Sequence, residues 1–204
     1  MYILKSIKNR LRIVGSDNTI SIKRSNWLRD YRKLKLHGNH NSINVQSRIG
    51  NVRIIVYGNN NIISIAQNVV FKKGVLWIEG DNNSITIDCH TTIEEADIAT
   101  AEGTSISIGC DCMLSTGIRI ATSDAHSIID PDSMTRLNPA KNIQIKNHVW
   151  IGMGSTINKG VTIEGNSVVA GKSVITHDIP VSTVVGGVPG RIIKQNVSWI
   201  RERI

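Results

Sequence analysis

An all-β solenoid of stacked triangular coils, a parallel β-helix, is predicted by three features of this 204-residue sequence. A six-residue aliphatic period runs without a miss near the C-terminus, a Gly/Asn-centred motif repeats in the N-terminal half, and one stretch interrupts the period between them. A helix of 3.6 residues per turn cannot keep positions six apart on one face, whereas a coil of three short strands presents one aliphatic side chain inward per strand.

The N-terminal repeat reads aliphatic-x-aliphatic-x-Gly-x-x-Asn-x-Ile-x-aliphatic and occurs at Leu11 to Ile22, Leu34 to Val45, Ile54 to Ile65 and Leu76 to Ile87. Its glycines, Gly15, Gly38, Gly58 and Gly80, suit corners between strands, because Gly and Asn tolerate left-handed backbone angles. Asn18, Asn41, Asn61 and Asn83 are placed to stack as a hydrogen-bonded ladder, one rung per coil. Further along, Ile145, Ile151, Ile157, Ile163, Val169 and Ile175 form the six-residue series, with Val149, Ser155, Val161, Ser167 and Ser173 four residues after the first five. The same frame occurs earlier at Ile108, Leu114 and Ile120. Three hexads close one coil, and each coil buries its inward residues against the one below.

The period fails over 121–142, which holds Asp124, His126, Asp130, Pro131, Asp132 and Pro139. A loop leaves the coil there, and an excursion from a monotonous scaffold is where chemistry is usually placed. Over 191–204, the spacing of Ile192, Ile193, Val197, Ile200 and Ile204 predicts a short amphipathic helix that caps the last coil. The chain is read as a single domain: Asn/Gly-rich coils over 1–104, hexapeptide coils over 105–190, and the capping tail.

The net charge of +8 is unevenly spread, for residues 1–73 carry 14 Lys and Arg against two acids, Asp17 and Asp30. That field favours an anionic partner, with polysaccharide ranked above nucleic acid because four Trp, three Tyr and one Phe make few stacking platforms. Lys23, Arg24, Arg32 and Lys33 are the candidate cations for such a groove. The amphipathic stretch from Trp27 to Leu36 keeps peripheral membrane association as the rival use. Lys5, Lys8, Arg10 and Arg12 interrupt any apolar signal core over 1–14, which gives the expectation of a cytoplasmic protein. Cys89, Cys110 and Cys112 have neither redox nor zinc spacing and are read as buried thiols.

Three further elements carry a resemblance: Ser123-Asp124-Ala125-His126, Val149-Trp150-Ile151-Gly152 and Gly186-Gly187-Val188-Pro189-Gly190-Arg191. Together, over about 105–194, they resemble the left-handed β-helix, hexapeptide-repeat acetyltransferases, particularly the sugar O-acetyltransferases of capsule and lipopolysaccharide synthesis. The left hand is what the resemblance implies; the general preference for right-handed crossovers points the other way.

The resemblance implies that His126 is the general base for a sugar hydroxyl attacking acetyl-CoA directly, with no acyl-enzyme. Asp124 orients that base, contacts the acceptor, or is a turn former. Trp150 offers a flat face to the pantetheine arm or a sugar ring, or packs at a subunit contact. By the same carry-over coenzyme A runs past Met153, Gly171, Thr176 and His177 toward Arg191 and Lys194, with Lys172 beside the path. Met153 and His177 depart from the small polar residue and the Lys common in galactoside enzymes. The family's clefts lie between the subunits of a homotrimer, and its reaction uses acetyl-CoA and no metal.

A zinc hydratase on the same scaffold needs three converging histidines, and the six here have no paired spacing within the hexads. Three further activities compete with sugar O-acetylation: sugar-nucleotide N-acetylation, acetylation of a small molecule, and non-catalytic binding or assembly by the solenoid. The last predicts no coenzyme affinity.

Overall fold

In the computed structural model, which describes residues 12–23 and 34–204, every regular element of those residues is a β-strand. Parallel strands climb three faces. On the third face Ile22, Val45, Ile65, Ile87, Ile108, Ile145 and Ile163 stand in register, one above the next. Leu34, Ile54, Leu76, Ile98, Ile120, Ile157 and Ile175 do the same on the second face. The first face carries Ile49, Phe71, Ile93, Leu114, Ile151, Val169 and Val185. Apart from Ile22, which is half-buried, these columns are buried in one continuous core. Both hexad positions point inward, since Ser155, Ser167 and Ser173 are as buried as the aliphatics they alternate with.

The corners explain the composition of the N-terminal repeat. Gly38 has φ +142°, and a Cβ there would sit 1.8 Å from the carbonyl oxygen of Gly58 in the next coil. Glycine is therefore required by the close approach of stacked backbones as well as by the dihedral. Three residues on, the asparagines form the expected ladder. Asn41 Nδ2 donates to Asn18 Oδ1 (3.0 Å), Asn61 N to Asn41 Oδ1 (2.9 Å), and Asn83 Nδ2 to Asn61 Oδ1 (3.1 Å). Above Asn83 the ladder passes to a buried threonine cluster. Asn83 Oδ1 accepts from Thr104 N (3.1 Å), and Thr104 Oγ1 donates to Thr122 Oγ1 (2.7 Å). Thr122 is the residue from which the loop departs.

The tail differs from the sequence expectation of a helix. After a turn over Gly187–Gly190, Arg191–Gln195 runs as a strand antiparallel to Thr183–Gly186. The open edge of the last coil has unpaired backbone groups, and two adjacent β-branched residues, Ile192 and Ile193, favour an extended partner for it. Ile192, Ile193 and Ile200 remain exposed, while Trp199 is buried.

Of the cysteines only Cys112 is buried; Cys89 and Cys110 are half-buried, because they lie at corners and not on an inward column. Burial pushes the Cys112 thiol up to about 11, and the hydrogen bond with Cys89 holds Cys110 near the same value, about 11. Of the basic stretch, Lys23 is exposed, whereas Arg24, Arg32, Lys33 and Trp27 lie outside the described residues. Leu34 and Leu36 at its end are strand residues of the core. Two other cations of the basic half, Lys72 and Lys73, are ion-paired with Glu94 and Glu95.

Candidate active site

The loop is inserted within a single coil. Leu114 is stacked directly under Ile151, a separation of 37 residues like that of the Cys110–Asn147 contact, where later coils take 18 residues, as from Ser155 to Ser173. Its outer part is a small hairpin closed by an antiparallel bridge between Ile129 and Arg136. Asp130 shapes the turn by accepting hydrogen bonds from Asp132 N (3.0 Å) and Ser133 N (2.9 Å).

Three side chains fix this loop, Asn138 from within it and Glu102 and Lys159 from the coils on either side. Asn138, buried at the loop's base, accepts from Ile128 N (2.6 Å) and donates to Asp124 Oδ2 (2.9 Å) and to the carbonyl of His126 (2.8 Å). Glu102, from the coil below, takes both Arg136 Nη1 (2.7 Å) and Nη2 (2.8 Å) in a fork and also accepts from Ser123 Oγ (2.9 Å). From the coil above, Lys159 Nζ donates to Asp124 Oδ2 (2.5 Å) and to the carbonyl of Asn138 (2.9 Å). Paired forks of this kind are directional as well as strong. The Arg136 guanidinium, together with Ser123 and the Ala140 amide, lowers the Glu102 carboxyl to about 2 against an ordinary 4.5. Lys159 and Asn138 hold the Asp124 carboxyl below its ordinary value.

A pH dependence follows. The Glu102 contribution to loop docking is complete above about pH 4.5 and is lost as pH falls through about 2. Hydrogen exchange of the amides over 136–140 is expected to stay slow from neutral pH to pH 4. In Glu102→Gln, which weakens the fork, those amides exchange faster already at neutral pH; equal protection in both proteins would contradict the clamp.

Ala125 takes a left-handed angle, φ +67°, and the turn it makes carries the His126 ring outward into an exposed position. The ring nitrogens have no hydrogen-bond partner among the described residues, and the Asp124 carboxylate is engaged by Lys159 and Asn138. Asp124 thus fixes the loop from which the imidazole projects.

Six of the seven residues of the expected coenzyme path fall into two groups on the last coils. Met153, Gly171 and Lys172 share one corner, where Lys172 N donates to Met153 O (2.7 Å). At Gly171 a Cβ would lie 3.2 Å from the same carbonyl, so the glycine keeps that corner flat. Thr176, His177 and Arg191 line an open groove of about 340 Å³ with Gly190 and Ile192, and Thr176 Oγ1 lies 2.9 Å from His177 Nδ1. Lys194 stands on the adjacent antiparallel strand, opposite Val184. His126 does not line this groove within one chain.

Trp150 points outward from the first face with 38% of its surface exposed, its ring tilted against Trp199 at 6.2 Å. Trp199 is the anchor of the tail. It stacks on His148 at 4.2 Å, donates from Nε1 to the His148 carbonyl (2.9 Å), and presents its own carbonyl to His148 Nε2 (2.9 Å). Asp111 completes the clasp, bonded to His148 Nδ1 (2.7 Å) and to Arg201 Nη2 (2.9 Å). Although burial acts the other way, these two partners hold the Asp111 carboxyl below its ordinary value. Trp199→Ala is expected to free 196–204 for proteolysis while lowering the melting temperature by only a few degrees, because a peripheral segment opens locally. Undiminished resistance to a protease would show that the stack does not hold the tail.

No protein-family model matches the sequence. The chain is 36% identical over 148 residues to a polysialic acid O-acetyltransferase of Neisseria meningitidis, a match covering 72% of this chain and 68% of that protein. A second polysialic acid O-acetyltransferase, from Escherichia coli O1:K1, is 32% identical over 139 residues, 68% of this chain and 45% of the relative's length. The crystal structure of the polySia-specific acetyltransferase NeuO superposes with a TM-score of 0.80 at 30% identity, covering 93% of this chain and 84% of that one.

Proposed function

Since the chain belongs to the hexapeptide-repeat sugar O-acetyltransferases, we propose that it carries an acetyl group from acetyl-CoA to a hydroxyl of an anionic capsular or lipopolysaccharide sugar, with His126 as the general base. Its solenoid is the left-handed parallel β-helix. In the proposed step His126 takes the proton of the acceptor hydroxyl as its oxygen bonds to the acetyl carbonyl carbon. The tetrahedral oxyanion then collapses, the C–S bond breaks, and the coenzyme thiolate leaves and takes up a proton. A sugar hydroxyl is a poor nucleophile at neutral pH, and a positioned imidazole supplies what it lacks. Neither Cys110 nor Cys112 suits a nucleophilic role, because both thiols stay protonated at neutral pH.

The observation that carries this reading is the posture of His126. Its backbone is fixed by Asn138 on a loop clamped by Glu102 and Lys159, while the ring is turned away from its own coil. A ring so held is directed at something outside the chain's own stack, and the groove beside Thr176, His177 and Arg191 of a neighbouring copy is the partner we assign to it in a homotrimer. Met153, Gly171 and Lys172 would line the pantetheine side, and Arg191 with Lys194 would meet the coenzyme's phosphates. Trp150 is the platform for the acceptor. We place the reaction in the cytoplasm.

The test is incubation with labelled acetyl-CoA and a panel of sialylated, phosphorylated and neutral envelope sugars, with the ester mapped by NMR. Label on a hydroxyl of an anionic sugar is expected. Label on an amine alone, or none on any sugar, would refute the proposal.

A further inference from the structure

We infer that the second face carries a sugar-binding subsite centred on Trp77, which holds a residue of an anionic polysaccharide acceptor several rings away from the one being acetylated. The inference rests on the acetyltransferase function proposed for this chain and adds to it a place where the polymer is gripped.

A shallow groove of about 280 Å³ lies on the outer surface of that face, lined by Arg53, Val75, Trp77, Asp97, Ala99 and Arg119. The pleat decides which side chains meet there. Arg53, Val75, Asp97 and Arg119 stand in one register row across four coils, and Ile55, Trp77, Ala99 and Ala121 form the row beside it. Trp77 is 36% exposed on a face where the next two residues of its row are alanines. Its indole therefore stands beside a strip cleared of bulk. Tyr57 flanks the ring on the other side at 5.8 Å.

Among the described residues, the groove's two arginines belong to the cations that carry no ion pair, as do Arg48, Lys141, Lys146 and Lys172. Lys72, Lys73, Arg136 and Arg201 are each ion-paired. Arg53 and Arg119, both exposed, have no ion-pair partner among the described residues. They stand three strand spacings apart, about 14 Å, on either side of the Trp77 level. An indole face accepts the C–H side of a pyranose ring, and few other surfaces do so in water. Guanidinium forks match carboxylates or phosphates on neighbouring residues of the same polymer. Asp97, between them, accepts from ring hydroxyls. The Trp77 indole N–H points at Glu79 Oε2 (3.4 Å), so a second carboxylate borders the ring. An aromatic face, two arginines and these two acceptors make an acidic glycan with free hydroxyls the occupant, in preference to a purely apolar or purely anionic partner.

The place of the groove gives it a use. From Trp77 the row passes through Ala99 to Ala121, about 10 Å away, and Ala121 ends the strand from which the loop bearing Asp124 and His126 departs. A polymer seated on Trp77 can run along a flat alanine strip to the base of that loop. Such a subsite acts on long acceptors and is bypassed by short ones.

The experiment compares wild type, Trp77→Ala, Trp77→Phe and the double variant Arg53→Gln/Arg119→Gln, using polysialic acid chains of graded length and a short sialyl oligosaccharide. Trp77→Ala is expected to raise KM for the long chains roughly three- to tenfold, with kcat, the KM for acetyl-CoA and the short-acceptor kinetics unchanged. Trp77→Phe restores most of the loss, and the double arginine variant loses most at low salt. Equal effects on long and short acceptors, or no effect on either, would overturn the subsite. So would a changed oligomeric state of Trp77→Ala on a sizing column, which would assign the face to contact between copies. Direct binding of the long chains without coenzyme separates the subsite from the catalytic assignment. If wild type transfers no acetyl group, the proposed function fails, while weaker binding by Trp77→Ala still supports the subsite and equal binding removes it.

Discussion

Replacing His126 with alanine is expected to lower kcat for acetyl transfer by about 10²- to 10⁴-fold, with the fold and the coenzyme affinity unchanged. The side chain is exposed and its ring bonds to none of the described residues, so truncation removes no packing and orphans no partner. The loop keeps its shape because Asn138 holds the backbone carbonyl of residue 126, which alanine retains. A loss in kcat with unaltered melting temperature and unaltered KM for acetyl-CoA is the signature of a missing proton acceptor. A variant within threefold of wild type would sink the assignment of the base. A collapse in stability would instead make His126 a structural residue, contrary to its exposure.

The second large effect concerns the solenoid itself. Asn61→Leu is expected to cost about 2–5 kcal/mol of stability. The change nearly preserves volume, so its cost is chiefly in hydrogen bonds. Asn61 Nδ2 donates to the Gly80 carbonyl (2.9 Å), and Asn61 Oδ1 accepts from Asn83 N (2.8 Å). Leucine leaves both backbone groups without those partners at a buried corner, and an unpaired buried group costs more than the bond it had formed. Denaturant unfolding with an unchanged m value would measure the loss. A difference below about 0.5 kcal/mol would mean that water replaces the rung.

Much of this structure was legible because a solenoid is written locally. Ile145 to Ile175 occupy one inward position per strand, so their six-residue spacing is the fold, and Gly38 and Asn41 report a corner that the backbone requires. The clamp on the loop had no such signal. Glu102 and Arg136 are 34 residues apart and Asp124 and Lys159 are 35 apart, and each pair meets only because the coils between them stack. Asn138 looked like any turn residue, though its amide joins three parts of the loop. The tail misled for a different reason. Its apolar spacing fits a helix, but the open edge at Thr183–Gly186 and the docking of Trp199 on His148 outweigh a periodicity with no core to face. An isolated Trp in that polar tail was the one visible hint of an anchor.

The antiparallel turn of Arg191–Gln195 against the last coil also bears on how this molecule survives at high concentration. In-register parallel strands with dry aliphatic and asparagine columns share their architecture with amyloid protofilaments, which lengthen by templating at a bare end. On the first face the terminal template is occupied by a strand of the opposite direction, flanked by Arg191 and Lys194, so an incoming chain finds there neither matching polarity nor a neutral surface. Deleting 191–204 should therefore leave a soluble stack prone to end-on fibrillation.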